Sequence, residues 1–177
     1  MNSISLDLGC GKLPKNPFNA DEVFGIDFIE DGDLKIRSAD LAIEPIPFPD
    51  QFFDFISAFD FVEHIPRVIY SPHKRFCFVE LMNEIYRVLK PGGLFLSFTP
   101  AYPVLDAFSD PTHVNIITEK TFPTYFANQL GASIYGFTGK FEIVGQKWHD
   151  WISWPMAISQ GVENPGQTHL LTLLKKP

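Results

Sequence analysis

The chain predicts an α/β fold built on a mostly parallel, doubly wound sheet. Three observations carry that reading. Short apolar segments recur along the chain, each bounded by turn residues, as strands buried on both faces are. The first of them runs into Asp7-Leu8-Gly9-Cys10-Gly11, an acid followed by two glycines spaced by one residue. An apolar stripe at helical spacing, Phe78, Leu81, Met82, Ile85 and Leu89, lies between two of the strand-like segments.

The first strand is expected over about residues 3–8. The second is Val23–Phe28, again closing on an acid, and the third is Leu34–Arg37, running on into Ala39-Asp40-Leu41. The fourth, Phe52–Phe59, is entered through the turn Pro47-Phe48-Pro49-Asp50, and the fifth is Leu94–Phe98. The helix before the fifth strand is expected to be capped by Ser71, with Pro72 in its first position. Lys90-Pro91-Gly92-Gly93 should stop it, since proline cannot continue a helix and glycine supplies a left-handed exit. A shorter helix is expected over Thr121–Leu130, ended by Gly131. Two late strands, about 141–148 and 168–174, read as a hairpin-like pair joined by a Trp-rich connection. Only eleven residues separate Gly11 from Val23, with Pro14 and Pro17 among them, and only five separate Phe28 from Leu34. A parallel crossover normally needs about a dozen residues or more. The first two crossovers are therefore expected to be loops or single turns, and helices to be reduced in the first half.

Composition narrows the function. With 177 residues, 45% of them apolar and 18 of them Phe, the chain is expected to form a single folded domain over residues 1–177. Its net charge is −7, and residues 1–50 hold ten acids against four bases. A nucleic-acid substrate calls for a basic face, so none is expected. Cys10 and Cys77 are too few for a disulfide framework or a zinc site, which points to a reduced, cytoplasmic protein. No apolar run reaches the ~18 residues of a membrane span, and the start lacks the basic-then-apolar pattern of a signal peptide.

The turn at Asp7–Gly11 offers bare backbone N–H groups to a ligand. An acid there argues against a phosphate and for a cationic or hydroxyl-rich group, hence a nucleoside cofactor. Asp27, closing the second strand, can accept hydrogen bonds from both ribose hydroxyls. Asp40 can accept from an adenine amino group, with Leu41 packing on the ring. Phe59-Asp60 and Glu63-His64-Ile65 follow the fourth strand, also at the ligand-binding edge of such sheets.

In this order, Asp-Leu-Gly-Cys-Gly, Asp27, Ala39-Asp40, Glu-His-Ile and Leu-Lys-Pro-Gly-Gly resemble the class I S-adenosylmethionine-dependent methyltransferases, over roughly residues 3–100. The resemblance implies a Rossmann-like, seven-stranded, twisted sheet with an antiparallel strand at its edge, and S-adenosyl-L-methionine as cofactor. It implies that Gly9, Cys10 and Gly11 wrap the methionine portion, and Asp7 is expected to bind the cofactor with them. Asp27 and Phe28 would serve the ribose, Asp40 and Leu41 the adenine, and Phe59 would lie under the sulfonium. Leu13 stands where many members carry a third glycine. No helical cover is expected before the first strand, which leaves the site open unless a partner subunit or the Trp-rich segment closes it. Some bacterial members carry a stretch like Asp110-Pro111-Thr112-His113, and the loop from Pro100 to His113 is expected over the methyl group.

Methyl transfer from a sulfonium is an in-line displacement in which alignment can supply up to ~7–11 kcal/mol. A hydroxyl or amine acceptor also has a proton to lose, and His113 and His64 are the candidates to take it. Glu63 could orient His64 or the acceptor. Each also has a plain structural reading: His64 as a capping or core histidine, and Asp110 as the start of the turn at Pro111. His64, His73, His113 and His149 show no metal-ligand spacing, so no metal is expected. Trp148, Trp151 and Trp154 could stack on a flat acceptor or pack in the core or a homodimer. The acceptor expected is a small molecule, a saccharide or lipid precursor, or a protein. Two rivals stand beside this reading. A nicotinamide oxidoreductase would need a third glycine where Pro14 stands. A non-catalytic cofactor-binding scaffold could use the same fold.

Overall fold

The computed structural model describes residues 2–150 and 166–177. Trp151 and Trp154 lie outside the described residues. Seven strands form one sheet: β1 (Ile4–Leu8), β2 (Glu22–Asp27), β3 (Ile36–Ser38), β4 (Phe53–Phe59), β5 (Leu89–Pro100), β6 (Glu142–His149) and β7 (His169–Lys175). Their order is β3-β2-β1-β4-β5-β7-β6. β1 sits parallel between β2 and β4, with Leu6 opposite Phe24 on one side and Ile56 on the other. β3 and β5 continue the parallel array outward. β7 runs antiparallel to both β5 and β6, which puts the antiparallel strand at this end of the sheet with β6 outside it.

Both early crossovers are loops, as their length dictates. Among the described residues no α-helix precedes α1, Cys77–Val88. Alternating side chains therefore meet unequal cover. On one face Leu6, Leu8, Ile26, Ile56 and Phe95 pack with Phe78, Leu81, Met82, Ile85 and Val88 of α1 in one core. That core is extended by phenylalanines meeting edge to face: the Phe48 and Phe53 rings lie 4.8 Å apart at 73°, and those of Phe52 and Phe53 5.0 Å apart at 83°. On the other face Phe59, Leu96 and Phe98 form a small second cluster joined by Phe18, Leu171 and Leu173. Phe18 comes from the first crossover loop and stacks on Phe55 of β4 at 4.6 Å. One aromatic ring supplies cover that a crossover helix would otherwise give.

Several boundaries differ from the sequence expectation. α1 begins at Cys77, with Phe76 as its N-cap residue, rather than at Ser71-Pro72. Ile69 and Arg75 exchange two backbone hydrogen bonds of 3.0 Å, which draws residues 69–75 into a closed loop instead of a first helical turn. The helix does not leave through a left-handed glycine. Leu89 is already extended, and the chain passes directly into β5, inside which Gly92 takes a φ of 80°. β3 starts two residues late because Lys35 sits in the left-handed region at a φ of 55°, which a strand cannot include. The segment expected to be a helix over Thr121–Leu130 winds as a π-helical turn at Pro123–Ala127. A 3₁₀ turn follows at Gly131–Tyr135. A short helix, Asp106–Ser109, interrupts the loop after β5. No helix among the described residues is long and apolar enough to cross a membrane.

Candidate functional site

The carboxyl ends of β1, β2, β4 and β5 face the same way, and the polar side chains named from the sequence gather there. Gly9 and Gly11 take φ angles of 67° and 62°, which side-chain-bearing residues avoid. The N–H groups of Gly9 and Cys10 both donate to the Ile26 carbonyl, at 2.9 and 3.1 Å, folding the turn onto β2. Asp27 fastens it. Its Oδ2 accepts from the Gly11 N–H at 2.8 Å and its Oδ1 from the Phe28 N–H at 2.7 Å. A Cβ at Gly9 would stand 2.4 Å from the Phe61 ring, whereas one at Gly11 would meet nothing within 4 Å. Gly11 therefore presents its backbone to open space. The Cys10 side chain points inward, where a Cβ on Gly25 would fall 2.5 Å from its Sγ, so Cys10 can offer a ligand only its backbone.

Two of the expected cofactor contacts need correction. Asp7 is fully buried and has no surface for a ligand. Its carboxylate accepts from Ser57 Oγ at 2.7 Å and from the Lys15 N–H at 2.8 Å, so it shapes the turn from beneath. Burial pushes its carboxyl up to about 6. Leu41, expected against the adenine, is buried in the main core and cannot pack on a surface-bound ring. Phe28, by contrast, is 75% exposed beside Asp27, with the exposed Ile29 next to it. Asp40 closes the turn after β3: its Oδ1 accepts from the Ala42 N–H at 3.1 Å and its own N–H donates to Glu44 Oε2 at 2.7 Å. Phe59 is nearly buried, and the Lys15 ammonium sits 5.3 Å from its ring centre.

A second group lies beyond β4 and β5. Glu63 and His64 occupy the 3₁₀ turn Val62–His64. The Glu63 carbonyl accepts from both Val114 and Asn115 N–H groups at 2.9 Å, which pins the loop after β5 to the turn after β4. His113 is thereby brought to His64, the ring centres 4.9 Å apart at 75°. Thr112 ties them together. Its N–H and Oγ1 donate to Asp110 Oδ1 at 2.7 and 2.6 Å, and its Oγ1 also meets His64 Nδ1 at 3.0 Å. These bonds from Thr112, then the nearby His113 and His64, hold the Asp110 carboxyl below the ordinary range. Glu63 is 1% exposed, accepts from Thr99 Oγ1 at 2.8 Å, and burial pushes its carboxyl up to about 8.

Asp60 and His169 complete this end, and sequence reasoning missed His169. Asp60 takes a φ of 49° and accepts from His169 Nε2 at 2.8 Å. His169 Nδ1 contacts Thr168 Oγ1 at 2.7 Å, and its ring stacks on Phe98 at 4.8 Å. The signal available was a lone histidine at the start of an otherwise apolar strand. A cavity of about 240 Å³ opens between Asp60, Glu63, Pro100, Asp106, His113 and His169.

A parallel sheet with a glycine turn after its first strand and an acid closing its second defines a Rossmann-like nucleoside-binding protein. Comparison with known proteins sharpens the class. Residues 6–97 match the family model described as a methyltransferase domain, and the chain belongs to that family, within the class I S-adenosylmethionine-dependent methyltransferases. It is 27% identical over 122 residues to a demethylmenaquinone methyltransferase of Geobacillus sp., covering 59% of this chain and 48% of the relative. It is 30% identical over 117 residues to one from Listeria monocytogenes, covering 55% and 45%. The chain thus spans about half the length of these relatives. Among solved structures, an S-adenosylmethionine-dependent methyltransferase from Mesorhizobium loti superposes with a TM-score of 0.59 at 17% identity, covering 99% of this chain and 91% of that one. The residues present fit the family's cofactor. Gly11 leaves open space where a side chain would intrude, Asp27 keeps lone pairs beyond its two backbone bonds, and Phe28 offers a bare aromatic face.

Proposed function

We propose that this chain transfers a methyl group from S-adenosylmethionine to an oxygen or nitrogen of a small-molecule acceptor, a saccharide or lipid precursor among them. The observation that carries the reading is the Gly9–Gly11 turn locked by Asp27, with both glycines left-handed and Gly11 open. The relatives named as demethylmenaquinone methyltransferases support a small acceptor. S-adenosylmethionine, when bound, supplies a sulfonium-activated methyl group. The turn's backbone holds the methionine portion, with Cys10 contributing only main chain. Asp27 accepts from the ribose hydroxyls, Phe28 covers the nucleoside, and Asp40 uses its remaining lone pairs for the adenine amino group. Asp7 contributes negative potential from beneath the turn, and Phe59 borders the sulfonium end.

The acceptor enters over the carboxyl ends of β4 and β5. Its nucleophilic oxygen or nitrogen forms the new bond to the methyl carbon while the carbon–sulfur bond breaks with its electron pair onto sulfur. Its proton leaves toward His113, which lines the cavity, and His64, whose ring lies 4.9 Å from it. Alignment of the two reactants is the largest contribution the protein makes.

The test is calorimetric titration with S-adenosylhomocysteine. Asp27→Ala removes a charged acceptor whose hydrogen bonds are worth roughly 1.5–3 kcal/mol each, and affinity is expected to fall at least tenfold. Unchanged affinity would place the ribose elsewhere. Tight NAD binding in its stead would restore the oxidoreductase reading.

A further inference from the structure

We propose that Glu63, His64 and His113 form a binding site for a first-row divalent metal ion, with Zn²⁺ the best match to two imidazoles and one carboxylate. One ligand atom from each of the three lies within 4.8 Å of the others, a span that one ion can bridge with small side-chain adjustment. The second observation is independent of that spacing. Glu63 Oε1 and His113 Nδ1 are both buried and neither has a hydrogen-bond partner, although Glu63 Oε2 is held by Thr99. An ion held by this cluster would give both buried atoms a partner.

The third ligand is prepared by its neighbours. Thr112 has a single hydroxyl proton, and the 2.6 Å contact assigns it to Asp110 Oδ1. The 3.0 Å contact with His64 must then be donated by Nδ1–H, which leaves the Nε2 lone pair free. A hydrogen bond from the other ring N–H is the usual outer support of a metal-binding histidine, and here Thr112 accepts it. The donor set of two nitrogens and one oxygen favours Zn²⁺, Fe²⁺ or Co²⁺ over Mg²⁺ and Ca²⁺, which want oxygen, and over Cu⁺, which wants sulfur. Three protein ligands leave open positions, and Glu63 and His113 line the cavity that also holds Asp60 and His169. An ion there would supply Lewis-acid chemistry to an acceptor oxygen. With an ion bound, His64 and His113 would serve as its ligands, and Asp60, which lines the same cavity, would be the group placed to take the acceptor's proton. This role for the ion rests on the methyltransferase reading; the site itself does not.

The experiment uses the full chain, stripped with a chelator and titrated with Co²⁺ by absorption and with Zn²⁺ by calorimetry. One ion per chain is expected, with cobalt d–d bands that Zn²⁺ abolishes. Glu63→Gln and His113→Ala should each weaken Zn²⁺ at least ~100-fold, and Thr112→Val about 10–100-fold through the lost support of His64. His73→Ala should change nothing. Because Glu63 is deeply buried, circular dichroism checks its variant, and His64→Ala at the half-buried rim carries the same test if that variant unfolds. No stoichiometric ion, or an ion retained by the His64→Ala/His113→Ala double variant, overturns the site. S-adenosylhomocysteine titrated into the same stripped protein separates the two readings, since its failure to bind would sink the methyltransferase proposal and leave the metal result standing.

Discussion

Asp7 shows how much of the glycine turn depends on one residue that never reaches the surface. Its carboxylate joins Ser57 Oγ of β4 to the Lys15 N–H of the first crossover loop and so ties the turn down where a helix is absent. The cost is a charge out of water, which pushes its carboxyl from 3.8 to about 6. The sign follows from proton binding. The folded state holds a proton that the unfolded chain has released between those two values, so this contribution to stability falls as pH rises through about 6 and is flat above it. Asp7→Asn keeps both hydrogen bonds, its amide donating to Ser57 and its oxygen accepting from Lys15, without the charge. It should gain about 2–3 kcal/mol at pH 8 and flatten the pH dependence of urea unfolding between pH 3.8 and about 6. The same change should weaken S-adenosylhomocysteine binding if Asp7 contributes negative potential there. A neighbouring residue is less forgiving. Gly9→Ala combines a φ of 67° with a Cβ 2.4 Å from Phe61, and loss of cofactor binding is expected in a titration.

At the scale of elements, Arg87 makes the densest set of side-chain bonds between α1 and the loop ahead of β4, beside Glu84, which accepts from the Ile46 N–H at 2.9 Å. Arg87 donates to the Ile46 and Phe48 carbonyls at 2.9 and 2.8 Å, and pairs with Asp50 at 2.8 Å and Glu84 at 2.6 Å. This network fixes the turn Pro47–Asp50 against the last turn of the helix. Arg87→Ala strands those carbonyls and should cost about 2–3 kcal/mol in chemical denaturation. Arg87→Lys should recover only part of that, because a point charge cannot reproduce the planar fork. The expected start of α1 failed for a reason of the same scale. Ser71-Pro72 is a good local signal for a helix start, but the Ile69–Arg75 bridge uses that backbone otherwise, and a contact six residues apart overrode a propensity.

Across the whole molecule, β7 is the strand on which the second half of the sheet depends. It lies between β5 and β6, pairing with seven residues of each, and contributes Leu170 and Leu174 to the main core. Lys176, just beyond it, donates to the Tyr86 and Leu89 carbonyls at 2.7 and 2.8 Å and so closes the end of α1. A chain ending at Gln167 loses an inner strand, not an edge. It should fail to give a dispersed amide spectrum by nuclear magnetic resonance, whereas Val144→Thr, on the exposed edge strand β6, should leave that spectrum intact.

The sequence by itself determined the parallel array of β1 to β5 and the glycine turn with Asp27, because periodicity, turn residues and short spacing are local and each β-strand end is marked by its own residues. It also determined that the early crossovers would lack helices, since eleven and five residues leave no room for them. Only the tertiary structure decided that Asp7 and Leu41 face inward and Phe28 outward, since burial depends on which neighbours cover a strand end. It alone joined Glu63, His64, Thr112 and His113 into one cluster and set His169 against Asp60, 109 residues away. Those contacts follow from β4 and β5 lying side by side and from β7 folding back against β5. No local pattern encodes either approach, because it is the pairing of distant strands that brings the side chains together.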